Sequence, residues 1–86
     1  MRRAAKKDIG SAQMWSDLRR LGCSVSVLNQ KGIGDALVGH HGTNYLLEAK
    51  GPRGRLTPAQ KDFRDAWRGQ YAVVRSLEDA RKVIGL

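Results

Sequence analysis

Apolar and polar positions along this chain switch repeatedly between a helical and a strand period. Met14, Trp15, Leu18 and Leu21 recur at helical spacing, with Ser11 placed to cap and Gly22 to stop, which predicts a helix over about 11–21. CSVSVLN, from Cys23, then alternates small polar with apolar residues, as a half-buried strand does. QKGIG is a turn or loop. DALVG, the turn HHGTN and YLLEAK read as a hairpin, and GPRGRL as a Gly/Pro-rich loop. Thr57-Pro58 opens a second helix, with Thr as cap and Pro at its first position. It is expected to run to about Arg68, stop at Gly69 and bury a stripe of Phe63, Ala66 and Trp67. QYAVVRS is a short strand, and Ser76 with Asp79 forms a capping-box variant that opens a last helix to about Ile84. The predicted order is α-β-β-β-α-β-α. The first three strands form a meander, and the fourth pairs in parallel with one of them through a right-handed crossover. The fold class is therefore α/β, a small mixed sheet flanked by helices.

Size narrows this picture. With 86 residues the chain has room for one core. A domain this small buries only about 60–65% of the surface its unfolded chain exposes, so self-association is a common way to recover stability. Residues 1–7 (MRRAAKK) carry four positive charges and read as a basic arm ahead of a single domain over 8–86. A formal charge of +8 and a pI near 10.4 call for a polyanionic partner, and nucleic acid is the commonest. An anionic membrane surface would want a long basic amphipathic helix, which the pattern lacks. Cys23 is the only cysteine, so no intrachain disulfide forms, and it is expected as a small buried residue. No apolar run approaches 18 residues, and the basic start is followed by no apolar signal region. A cytoplasmic protein is expected.

Charge on the hairpin supplies candidate chemistry. Asp35 opens the first hairpin strand and Glu48-Ala49-Lys50 closes the second. Side chains at i and i+2 of a strand share a face, so Glu48 and Lys50 point together while Ala49 points into the core. A lone Glu-x-Lys arises readily in a chain that is 28% charged, as a solvated strand edge or an ion pair. Here Glu48 follows an apolar Tyr-Leu-Leu run, Asp35 lies within reach across the hairpin, and a loop bearing Arg53 and Arg55 follows directly. Asp35, Glu48 and the Ala49 carbonyl offer hard oxygen ligands of the kind Mg²⁺ or Mn²⁺ prefers. Such an ion polarises a scissile phosphate and makes hydroxide available near neutral pH. Lys50 would orient the water and offset the charge of a phosphorane-like transition state. Lys61, Arg64 and Arg68, at i, i+3 and i+7, form a basic stripe on the second helix: a nucleic-acid contact or its wet face. Lys31, Arg53 and Arg55 join them as candidate nucleic-acid contacts. His40-His41 reads as a turn or a phosphate contact, and Trp15 and Trp67 as packing or a dimer seam. No small-molecule cofactor motif, serine-histidine-aspartate set or zinc pattern is present.

The ordered set Gly-Asp-x(12)-Glu-Ala-Lys on a hairpin, after a helix and a strand, resembles the PD-(D/E)xK nuclease superfamily. More narrowly, RRLGCSV, GDALVGHHGTNYLLEAKG and LTPAQKDFRDAWRGQYAVVRSLEDA resemble the virus-type replication-repair nuclease (VRR-NUC) domain in its short phage and bacterial form, from about Asp8 to Ile84. The resemblance implies a restriction-endonuclease-like core and cleavage of branched DNA with Mg²⁺ or Mn²⁺. It also implies a homodimer acting on four-way (Holliday) junctions. Asp35 and Glu48 match its metal ligands, Lys50 its motif lysine, and Gln60 a polar helix position that either faces the site or is an exposed amide. Two positions depart from the pattern. Gly34 stands where the family usually has Pro. Gln13 stands where a first-helix Glu completes the metal site, so Gln13 is a weak ligand, or a change that silences cleavage, or is replaced by Asp8 or Asp17. The alternative function is a catalytically weak or inactive DNA-binding module on the same fold.

Overall fold

A computed structural model describes residues 2–30 and 32–86, and side chains from Ser11 onward. The elements are α1 (Arg2–Arg20), β1 (Ser24–Val27), β2 (Ala36–His40), β3 (Thr43–Ala49), α2 (Pro58–Ala66), β4 (Tyr71–Val74) and α3 (Leu77–Ile84). This is the expected order, and the sheet is the expected small mixed one. Its strands lie β1-β2-β3-β4, antiparallel except for the parallel pair β3–β4. Helix α1 begins well ahead of Ser11, which therefore sits inside the helix and does not cap it. Whatever the side chains of the basic arm over 1–7 do lies outside the described residues, as does Lys31.

Local chemistry explains the element ends. At the end of α1, Gly22 takes φ 99° and its N–H donates to Arg19 O, while the Cys23 N–H donates to Leu18 O. That paired pattern closes the helix, and it leaves Leu21 on the turn, exposed and off the core stripe. The hairpin turn is only His41-Gly42, with φ of 50° and 78°. Positive φ at both positions gives the turn the twist that two antiparallel strands require. Helix α2 opens with a full capping box. The Thr57 hydroxyl accepts from the Gln60 N–H, and the Gln60 side chain accepts from the Thr57 N–H. It ends earlier than expected, because Trp67 is already extended at φ −74° and ψ 128°. Arg68 consequently lies beyond the helix, off the stripe begun by Lys61 and Arg64.

Strand alternation sorts the sheet into two unlike faces. Ala36, Val38, Leu47, Ala49 and Val74 face α1 and α3, where Trp15, Leu18, Ala80 and Ile84 complete the core. Cys23 is buried at its margin, as expected, and burial pushes its thiol pKa up, which makes it a poor nucleophile. The other face carries Leu37, Leu46, Glu48, Tyr71 and Val73, and only α2 lies over it. No α2 residue is fully buried. The expected buried stripe reduces to Phe63, half-buried, with its ring edge-on to Tyr71 at 5.7 Å. Ala66 is exposed and Trp67 is 47% exposed: the chain leaves the helix at Trp67, whose ring stacks on Phe63 at 5.2 Å.

Candidate active site

Asp35 stands just ahead of β2, and Glu48 is the next-to-last residue of β3. The Asp35 N–H donates to Leu47 O at 2.8 Å, and the Ala49 N–H donates to Asp35 Oδ2 at 2.7 Å. The carboxylate of Asp35 is thus pinned by the backbone between Glu48 and Lys50. Gly34 makes this entry possible. Its φ is 118°, and a Cβ there would meet Leu46 side-chain carbons at 3.1 Å. Proline, locked near φ −65°, could not take that conformation, so glycine at this position is a backbone requirement of the hairpin.

Glu48 is 4% exposed and is the only buried charged side chain among the described residues. Its Oε2 accepts from Gln60 Nε2 at 3.2 Å and lies 3.4 Å from Lys50 Nζ. Burial raises the Glu48 pKa, the Asp35 carboxylate raises it further, and Lys50 opposes both. Gln60 has two jobs: one end of its amide closes the capping box of α2, and the other holds the buried carboxylate. Of the two readings open from sequence, the site-facing one describes Gln60.

The structure therefore brings Asp35, Glu48, Lys50 and Gln60 together. Ala49 contributes a contact through its N–H, whereas the sequence pointed to its carbonyl. Gln13 is not brought in. It is exposed, and its Nε2 donates to Asp17 Oδ1 at 2.9 Å, which occupies Asp17 as well. The cleft beside Asp35 is lined by Ser11, Ala12 and Trp15 of α1, with Val27, Leu28 and Asn29 of the strand opposite. Gln13 lies about 200° around the helix from Ser11, on its far side. The Asp8 side chain lies outside the described residues.

Among the candidate nucleic-acid contacts, Arg55, Lys61 and Arg64 share one groove of about 400 Å³ with Leu56, Val73 and Arg75. Arg53 and Arg68 are exposed and line no part of it. His40 and His41 stack at 4.0 Å at the far end of β2 from Asp35, with Cys23 Sγ 3.9 Å from His40 Nδ1. Sequence reasoning missed two residues. Tyr71 borders the site: burial raises its phenol pKa, Glu48 and Asp35 raise it further, and Arg64 opposes them. Arg75 is the other, and the signal for it was its place two residues beyond Val73, hence on the same face as Glu48.

The donor set suits a hard divalent cation. Two carboxylates lie close together, each fixed by a hydrogen bond, and after burial it is Asp35 that raises the Glu48 pKa. Among the described residues no group of three or more His, Cys, Asp or Glu side chains gathers. Mg²⁺ commonly binds through one or two carboxylates and leaves its other positions to water and substrate oxygens, so two suffice. No helix among the described residues is long and apolar enough to cross a membrane. Compared with protein-family models, curated proteins and solved structures, the chain matches none.

Proposed function

We propose that this protein is a metal-dependent endonuclease that hydrolyses phosphodiester bonds in branched DNA, four-way junctions included. It works as a homodimer in the cytoplasm of a bacterial or phage-infected cell. One observation carries the proposal: a buried carboxylate, a second carboxylate close to it and a lysine ammonium converge at the end of β3 in a chain with charge +8. A structural ion pair would need only one of the two acids. Burying Glu48 with a second, half-buried carboxylate beside it costs stability, and clusters of that kind are found where charge is to be bound.

Asp35 and Glu48 would hold Mg²⁺ or Mn²⁺. When bound, the ion supplies Lewis acidity to the scissile phosphate and hydroxide near neutral pH. Lys50 offsets the negative charge that builds on the phosphate oxygens, from a side chain only 10% exposed, where its field is little screened. Gln60 keeps Glu48 in place from one side and the Ala49 N–H keeps Asp35 in place from the other, so neither acid reorganises as charge develops. In a homodimer, two such sites related by a two-fold axis would suit paired nicks in a symmetric junction.

A second reading has its own support. Gln13 faces away from the pair and the described residues supply two carboxylates, which fits a DNA-binding module with little turnover. Cleavage of an end-labelled four-way junction in Mn²⁺ separates the two. The nuclease cuts, Lys50→Ala lowers the rate by about 10²–10³, and junction binding by that variant survives. If the parent protein binds the junction but leaves it uncut in Mn²⁺, the enzyme assignment is lost and the binding module stands.

A further inference from the structure

Beside the carboxylate pair, on the same sheet face, α2 and β4 enclose the groove lined by Arg55, Leu56, Lys61, Arg64, Val73 and Arg75. Its floor is contiguous with the candidate active site, since Val73 is the β4 partner of Glu48. Four cations converge there and little neutralises them. Arg64 pairs through Nε with Asp65 Oδ1 at 3.0 Å, an exposed contact between chain neighbours. Among the described residues, Arg55, Lys61 and Arg75 form no ion pair with a carboxylate. Asp79, four residues on, accepts from the Arg75 backbone N–H and not from its guanidinium.

Arg75 is also held in place. Its Nη1 donates to Gly51 O and Gly54 O, both at 2.7 Å, so one edge of the guanidinium ties down the Gly51–Gly54 turn that leads to Arg55 and Leu56. The turn is closed on itself by the Gly54 N–H donating to Gly51 O. One arginine therefore fixes the groove wall, and its remaining donors have no partner among the described residues. Like charges held close on a partly apolar floor repel one another, and an anion relieves the repulsion. Arginine forks match phosphate oxygens in particular.

From this we infer that the α2–β4 groove is a phosphate subsite, separate from the carboxylate pair, which takes a second phosphate of the strand whose neighbouring linkage reaches Asp35 and Glu48. The inference rests on the nucleic-acid reading above but not on cleavage. The occupant is a phosphate group, either an internal phosphodiester or the terminal phosphate of a strand.

Two measurements, both in EDTA so that no cutting intervenes, test it. In the first, the full chain is titrated with inorganic phosphate while arginine Nε–H and backbone amide resonances are followed. Saturable shifts are expected at Arg55, Lys61, Arg64 and Arg75 and not at Arg81 or Lys82 on α3. A titration that moves none of the four, or moves both sets alike, overturns the subsite even if DNA binding is intact. In the second, duplex and four-way-junction DNA, with phosphorylated or hydroxyl ends, are bound by the paired variant Lys61→Gln/Arg64→Gln and by the control Arg81→Gln/Lys82→Gln. Lys61 and Arg64 are exposed, so neither change threatens the fold. The groove pair should weaken binding roughly tenfold and flatten the salt dependence by about two counterions, the control far less. A loss confined to phosphorylated ends identifies a terminal phosphate, and a loss independent of the ends an internal one. Equal losses for the two pairs overturn the proposal. If the parent binds neither DNA, the nucleic-acid reading fails, and the phosphate titration still decides the groove.

Discussion

The two faces of the sheet are built from the same strands and do opposite work. Along β3, Leu47 and Ala49 point to α1 and α3 and are buried among apolar side chains, while Leu46, Glu48 and the following Lys50 point to α2. The first face has two helices over it and is closed. The second has one short helix with no buried residue, an exposed tryptophan and the Glu48 carboxylate beside a groove of cations. A chain too small to spare much core places its stability on one side of a single sheet and its charge on the other. Adjacent residues of one strand should therefore respond to mutation in opposite ways.

The largest effect expected is on the closed face. Leu47 is fully buried, and Leu47→Ala should cost about 2–5 kcal/mol, the usual range for a large-to-small change in a packed core. Urea denaturation measures it, with the midpoint moving and the slope unchanged. A loss under 1 kcal/mol would mean that the core tolerates a void there, and the contrast between the faces would weaken.

Next in size is the joint between the faces. Gly34→Ala forces a side chain into φ 118° and against Leu46, itself buried beneath α2. Strain of that kind costs about 1–3 kcal/mol. Because Gly34 sets the entry of Asp35 into the hairpin, the variant should also bind Mn²⁺ more weakly than its lost stability explains. Calorimetric Mn²⁺ affinity equal to the parent's, in a variant that has lost stability, would show that Asp35 keeps its position without the glycine.

How much of this was legible in the sequence follows from how local each signal is. Element order, the sheet's composition and the meeting of Asp35, Glu48 and Lys50 all follow from period-two alternation and turn residues, which act over a few positions. Gln60 was half legible: Thr57 and Pro58 announced the helix start, but not that the N3 side chain would reach Glu48 with its other end. What escaped was decided over longer distances. Helix α2 has the pattern of a buried helix, yet the chain turns extended at Trp67 and leaves that ring exposed, which spacing does not encode. The resemblance that pointed to Gln13 fixes a position in the chain and not a helix face, and the face that reaches the Asp35 cleft carries Ser11, Ala12 and Trp15. Arg75 belongs to a groove assembled from three separate segments; its spacing from Val73 gives its face, but no local window shows which segments meet there.

The smallest effect tests the open face itself, and its sign is opposite to that of Leu47→Ala. Glu48 has a folded-state pKa raised above its ordinary value of 4.5 by burial and by Asp35, against the pull of Lys50. A carboxyl with a raised pKa contributes stability that is fully present below its unfolded pKa. That contribution is lost as pH rises through the folded value, because the native state then holds a charge it would rather neutralise. Glu48→Gln mimics the protonated acid. The variant and the parent should therefore melt alike near pH 4, and the variant should melt higher by pH 7, after which the gap stays constant. Adding Mg²⁺ should narrow the gap from the parent's side alone, since only the parent keeps both carboxylates and gains by ligand linkage. Melting curves between pH 4 and 8, with and without the ion, are the measurement. A parent that gains stability over the variant as pH rises without metal would mean that Lys50 outweighs burial and Asp35 together. Glu48 would then be half of a stabilising ion pair, a second structural face and not a place kept for a cation.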